Sequence, residues 1–453
     1  MPTVPKNQTL TANSAQVLNV IRAAGSPEYR ARVTEATYDL ESIRGIGNVI
    51  MNFPGLQNEF ISALINRIGL VLVTSKIYRN PWNVFKKGTL ELGETVEEIF
   101  IDLIKPHDFD AVVAESEVDK QAIPDVYSAF HAMNFQKFYK VTVSESRVRA
   151  AFLSLTGVVD FTQRLIMKMY TSMNYDEFQV MKYLLAKSLV NGMIKPTVIP
   201  TVDSTNIKQI ASIIKGASNS IEFMSTDYNF AGVTTYAEKN DQYLISSATF
   251  DANMGVEVLA SAFNLNYAEF MGHRILVDSF GKLNIERLNL LLGSNPGYVE
   301  IGEDVLKELD KIPAVLVDRD FFVVIDNLLR NKTRENEQSI SNNWWLHSWK
   351  TFSISPFANA TVFVPGTPSV TSVTVSPTAV TVAKGKTTQL TATVEVTDFA
   401  PKTVNWSSDS EGVTVNKTGL VSISADVQVA SAVITAVSTF DTAKKDQCTL
   451  TIN

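Results

Sequence analysis

The residues best equipped for chemistry are few and scattered. Four histidines, His107, His131, His273 and His347, include no pair at helical or strand spacing, so none of them reads as part of a local metal site. Asp318 and Asp320 stand two apart with Asp326 nearby, a pattern that can hold Mg²⁺ or share acid/base work. The competing reading is an Asp-Arg-Asp turn between the strands Ala314–Val317 and Phe321–Ile325, and turn chemistry is favoured. Gly45-x-Gly47 lacks the third glycine of a dinucleotide loop. No Gly-x-Ser-x-Gly elbow, Walker loop or His-Glu-x-x-His occurs. The single cysteine, Cys448, alternates with Leu450 in a strand pattern and reads as a packed small residue. The sequence therefore predicts no catalytic residue, no cofactor, no metal site and no enzyme.

Elements that would have to position such groups point instead to a structural protein. The 453 residues are 45% hydrophobic and 19% charged, enough to bury large cores in two or three domains. One cysteine excludes an internal disulfide. The start Met1-Pro-Thr-Val-Pro-Lys6 shows no apolar signal segment, and charges such as Arg67 interrupt every long apolar run. A formal charge of −7 with dispersed Lys and Arg argues against a protein built to grip nucleic acid.

Residues 1–57 read as an arm with one amphipathic helix around Ala15–Ala24; Gly45, Gly47, Pro54 and Gly55 suggest irregular backbone after it. Asn58–Ile68 patterns as a helix leading into a strand at Leu70–Val73. A charged, strand-rich excursion follows from about Ile77 to Val143. It is either a solvated hairpin or an element leaning on a neighbouring surface. Phe161–Tyr170 and Asp176–Val190 read as two helices, the second with Asn174 as N-cap and Glu177 completing a capping box. Further helices are expected at Ile207–Lys215 and Val256–Phe263, and strands at Arg274–Val277 and Phe352–Val364. Trp344, Trp345 and Trp349 are either interface anchors or core, with core favoured. Pro365-Gly-Thr-Pro368 makes a linker.

From Pro368 to Asn453 the pattern changes. Leu390, Ala392, Val394 and Val396 alternate with Thr391, Thr393 and Glu395, the period of a half-buried strand. Turn signals at Lys384-Gly385, Ser408-Asp409 and Thr418-Gly419 divide several such runs, which together predict a small β-sandwich.

Two resemblances rest on particular stretches. Asn58-Glu-Phe-Ile-Ser-Ala-Leu-Ile-Asn-Arg-Ile-Gly-Leu-Val71, Phe85-Lys-Lys-Gly88 and Leu92-Gly-Glu-Thr-Val-Glu-Glu-Ile99 come first in the chain. Phe130-His131, Phe138-Tyr139, Ala262-Phe-Asn-Leu-Asn266, Ala314-Val-Leu-Val-Asp-Arg-Asp-Phe321 and Phe357-Ala-Asn-Ala360 then follow in order. In these the chain resembles the major capsid proteins of phi-29-like podophages. Val404-Asn-Trp-Ser-Ser408 and Gly419-Leu-Val421 make the tail resemble a bacterial immunoglobulin-like domain of group 2, with Trp406 in its core.

The resemblance implies an α+β fold: a Hong Kong 97 type capsid subunit followed by an all-β immunoglobulin-like sandwich. The parts would be an N-terminal arm (1–57), a capsid body (58–366), and the sandwich (368–453). Within the body lie an extended loop (77–143), a peripheral domain with a spine helix, and an axial domain (about 198–302). The implied function is that of major capsid protein of a short-tailed double-stranded DNA phage, assembled in the host cytoplasm and residing in the virion. Copies would form hexamers and pentamers of an icosahedral or prolate head. Implied partners are further copies of itself, a scaffolding protein, a portal, packaged DNA touched non-specifically, and a host surface reached through the sandwich; no membrane is implied. Phe85, Lys86, Lys87, Glu97 and Glu98 are the candidate inter-subunit contacts, and charge reversal at Lys86 and Lys87 should weaken assembly without altering the subunit's melting. No motif for a Lys–Asn crosslink is evident, so non-covalent contacts are expected. The alternative is a bacterial adhesin or surface-lattice protein using the same module for attachment.

Overall fold

The computed structural model describes residues 14–60, 63, 78–91, 94–104, 106, 124, 126–153, 157–261, 273–336, 338 and 341–453. The strand expected at Leu70–Val73, the stretch Ala262–Asn266 and His107 lie outside these residues.

A single helix organises the body. The two helices expected around Asn174 are one, α5 (Gly157–Val190), 34 residues and about 50 Å long. Asn174 does not cap it. Its amide instead donates to the Tyr78 carbonyl at 2.9 Å, and Met169 and Met173 on the preceding turns pack on Leu346. Tertiary burial overrides the local N-cap signal here. Beyond Asp176 the helix is buried nearly all round, as expected of a helix crossing a core. Gly192 ends it at φ +67°, with the Met193 N–H returning to Ser188.

A five-stranded sheet crosses this helix in the order β5 (Lys195–Val198), β11 (Ala360–Val364), β8 (Ala314–Asp318), β6 (Gln242–Ser247), β7 (His273–Val277). Its central strands are apolar on both faces, the mark of a sheet covered twice. Tyr243, Ile245, Val315, Val317, Val362 and Val364 face α5, α8 (Ile285–Leu292) and α9 (Glu303–Asp310). Leu244, Ala314, Leu316 and Phe363 face α6 (Ile207–Ser220) and α7 (Ala248–Ser261). Asp318 closes β8 in a turn, accepting the Asp320 N–H at 3.0 Å; the turn reading of Asp-Arg-Asp holds geometrically.

A second sheet has the order β1 (Lys86–Thr89), β9 (Phe322–Asn336), β10 (Ser341–Ile354), β4 (Phe135–Ser144). β9 runs well past the expected Ile325. A separate two-stranded ribbon pairs β2 (Val96–Ile101) with β3 (Val126–His131).

The N-terminal segment is more helical than its glycines suggest: α1 (Ser14–Ala24), α2 (Pro27–Arg32) and α3 (Leu40–Asn52), with residues 54–60 also helical. Gly45 and Gly47 lie inside α3. A Cβ on Gly47 would come within 2.5 Å of the Phe152 ring, so this glycine permits close packing rather than breaking the helix. These helices share a core with Val143, Val148, Phe152 and Trp344. α4 (Glu145–Ala151) connects β4 towards the long helix.

The C-terminal module has nine strands, from β12 (Ser369–Ser376) to β20 (Lys445–Ile452), in two larger sheets and one pair around a common core. Cys448 is fully buried there, and burial raises its thiol pKa.

Candidate assembly surfaces

One turn of the long helix carries a set of buried charges that ties the second sheet to the body. Glu177 pairs with Lys86 at 3.2 Å and closely with Lys350; Asp326 pairs with Lys86 at 2.6 Å and closely with Lys350. Asn80 donates to Glu177 at 2.7 Å. Two ammonium groups and two carboxylates thus neutralise one another, as buried ions require. Burial alone would lower the Lys86 pKa, but Glu177 and Asp326 outweigh it and hold the group protonated. Burial likewise opposes the Asp326 charge, and Lys350 and Lys86 prevail, keeping its pKa below the usual carboxylate range. The neighbouring Asp176 binds Arg287 through two hydrogen bonds, 2.5 and 3.0 Å, and accepts from the Tyr139 hydroxyl at 2.7 Å. One turn further on, Lys182 reaches Asp278 at 2.6 Å, and burial pulls its pKa down despite that partner.

The ribbon has two distinct faces. Phe100 stacks on Phe357 with ring centroids 5.6 Å apart. Glu98 accepts from Ser355 Oγ at 2.7 Å and meets His131 Nε2 at 3.2 Å, while His131 Nδ1 lies 2.8 Å from Ser353 Oγ. This face is fastened to the end of β10. The other face presents Glu97, Ile99 and Ile101 beside Phe130, Ser128 and Val126. Ile101 is 59% and Phe130 69% exposed, and Leu103 and Ile104 extend the apolar strip. Two strands alone are marginally stable, and a contiguous exposed apolar strip marks a contact surface.

The second sheet also has an outward face. Directly paired residues share a face, which sets Lys140, Trp345 and Lys332 in one row and Phe138, His347 and Arg330 in the next. Thr142, Asn343 and Arg334 flank one side of these rows, and Gln136, Trp349 and Leu328 the other. Lys140 Nζ stands 5.6 Å from the Trp345 ring centre, a cation–π distance. On an acidic chain this is a concentrated basic and aromatic patch. Its cations on β9 recur at alternate residues, roughly 7 Å apart.

Of the five charged or aromatic contact candidates read from the sequence, the structure leaves Lys87 and Glu97 exposed and engages Phe85, Lys86 and Glu98 within the chain. Phe85 is 1% exposed and packs on Tyr243 and Phe322 in the subunit's own core; it has no face left for a neighbour. Lys86 belongs to the buried charge set, Lys87 pairs with Asp320, and Glu98 is engaged by Ser355 and His131 within the chain. Reversal at Lys86 therefore disturbs the subunit itself, contrary to the expectation of unaltered melting. Glu97 faces outward beside Ile99. The apolar residues that sequence reasoning passed over were signalled by the Glu97, Ile99, Ile101 alternation. In the module, Trp406 is half-buried against the core, with its ring close over Gly419. Trp344 is core, whereas Trp345 and Trp349 line the outward face. Among the described residues no cluster of His, Cys, Asp and Glu could hold a metal ion, and no helix is long and apolar enough to cross a membrane.

The body thus combines a long helix crossing a doubly covered sheet, a second elongated sheet and a two-stranded ribbon. The solved capsid of Staphylococcus phage Andhra has a similar fold: TM-score 0.51 and 16% identity, over 65% of this chain and 86% of that one. The family model of Phi29-like phage major capsid proteins matches residues 18–364, and that of group 2 bacterial Ig-like domains matches residues 369–450. The chain belongs to the Phi29-like phage major capsid protein family. The major capsid protein of Bacillus phage PZA is 32% identical over 418 residues, covering 91% of this chain and 87% of that protein. That of Bacillus phage GA-1 is 34% identical over 381 residues, covering 82% and 75%. The chain is thus a structural protein of the virion capsid, assembling with copies of itself.

Proposed function

We propose that copies of this chain close into the head of a short-tailed double-stranded DNA phage, as hexamers and pentamers of an icosahedral or prolate shell, by laying the ribbon of one copy on the outward sheet face of the next. The observation that carries this reading is the complementarity of the two surfaces. One offers Ile99, Ile101, Phe130 and Glu97; the other offers Phe138, Trp345, Lys140, Arg330 and Lys332. Burying the three apolar ribbon side chains, already partly covered, is worth roughly 3–5 kcal/mol per contact before the cost of association. A shell multiplies such a contact by the number of its copies, so modest interfaces suffice.

In this reading residues 1–57 form the arm, 77–143 the loop that overhangs a neighbour, and about 198–302 the domain nearest the capsomer centre. The chain works by geometry and performs no reaction. A net charge of −7 suits a wall along which DNA slides without being held. A scaffolding protein and a portal would act on the same subunit during assembly in the host cytoplasm, and the immunoglobulin-like module would face outward. Electron microscopy of the purified chain, alone and with the scaffold of its phage, tests this. Closed shells, tubes or sheets are expected; a monodisperse monomer under both conditions contradicts it.

A further inference from the structure

The immunoglobulin-like module makes two separate contacts with the rest of the chain. The first is at the end of the long helix. A Cβ on Gly192 would come within 2.6 Å of the Lys402 amide nitrogen and 3.0 Å of the Ala400 carbonyl oxygen. The module's loop therefore lies directly on the helix terminus. In that loop Asp398 and Phe399 both have positive φ, 49° and 60°, a conformation costly for residues other than glycine unless the surroundings enforce it. The surroundings are visible: Phe399 packs on the main core of the body, and Asp398 accepts the Thr367 N–H at 2.9 Å. The linker is clamped, not free.

The second contact is at the ribbon. Lys417, on the turn before β18 (Leu420–Ile423), places Nζ 4.9 Å from the ring centre of Tyr127 on β3 and 3.3 Å from the Ala231 carbonyl. Ala231 in turn donates to the Pro356 carbonyl at 2.9 Å, next to Phe357, on which Phe100 of the ribbon stacks. The module thus touches the long helix at one end and, through Lys417, both the ribbon and its anchoring loop at the other.

From these two contacts we infer that the module is a brace: it fixes the angle at which the ribbon leaves the subunit, and Lys417 is the residue through which it does so. A two-stranded ribbon has little stability of its own, so one outside contact on β3 changes how often it opens. The inference concerns the isolated subunit and does not depend on what the ribbon later touches.

Hydrogen exchange of the full-length, unassembled chain tests it. Lys417→Glu and Lys417→Met should each raise exchange of amides 126–131 by about two- to five-fold, the effect of an exposed cation–π contact, while strands 431–452 stay unchanged. Lys417→Arg should preserve protection, and Lys386→Glu, an equal charge change at an exposed site away from the ribbon, should leave it at the wild-type level. Equal ribbon exchange in the wild type and both Lys417→Glu and Lys417→Met overturns the inference. So does a rise in Lys386→Glu as large as in Lys417→Glu.

Discussion

Replacing Lys350 by Met should destabilise the body of the subunit more than any surface change, because it removes one charge from a buried set that is now neutral. Lys350 is almost wholly enclosed, with side-chain exposure of 3%, and its two partners Glu177 and Asp326 would be left sharing Lys86 alone. One buried carboxylate charge is then uncompensated, at a cost of about 3–5 kcal/mol. For a domain this large that is a fall of roughly 5–15 °C in the body's melting transition. Differential scanning calorimetry of the unassembled chain reads it directly, and the transition of the C-terminal module should not move. Pairing Lys350→Met with Glu177→Gln restores neutrality, leaving Lys86 opposite Asp326. The double variant should therefore melt above Lys350→Met alone, a coupling of about 1–3 kcal/mol. A single variant within about 1 kcal/mol of the wild type, or two additive losses, would refute the claim that these four charges act as one set.

Three further expectations follow from other parts of the molecule. Burial, together with Asp320 and Asp241, pushes the Asp318 pKa up to about 6 against the opposing Asp320 N–H, so between about pH 4 and 6 the native state holds a proton that the unfolded chain releases. Stability from this group therefore falls as pH rises through that window; Asp318→Asn should raise stability at pH 7.5 by up to about 3 kcal/mol and flatten the pH dependence of melting. Phe130→Asp and Ile101→Asp should abolish particle formation, read by sedimentation, while changing the subunit's stability by less than about 0.5 kcal/mol. Arg330→Glu with Lys332→Glu should do the same from the other surface, and its effect should be reproduced in the wild type by high salt, because the attraction removed is exposed and screened.

What the sequence made legible was set by how directly burial is written into residue order. The C-terminal module could be read because its strands are half-buried and alternate strictly. β8, with Ala314-Val-Leu-Val317, could be read because a strand covered on both faces is continuously apolar. The join between the two halves of the long helix could not. Asn174 and Glu177 imitate a helix start, and their actual partners, Tyr78 and Lys350, lie about a hundred residues or more away in the chain. Gly47 reads as a breaker until Phe152 is seen against it. Phe85 and Lys86 read as contact candidates for a related reason: charge and aromaticity draw attention, yet Phe85 fills the core and Lys86 spends its charge inside the fold. The open surface is carried by Ile99, Ile101 and Phe130, which a sequence alone assigns as readily to a core.

A reconstruction of assembled particles by cryo-electron microscopy addresses the central claim most directly. The account predicts that Ile99, Ile101 and Phe130 of each copy lie within van der Waals contact of the β4–β10–β9 face of an adjacent copy, with Glu97 near Lys140 or Lys332. Closed particles in which both surfaces stand open to solvent would contradict it.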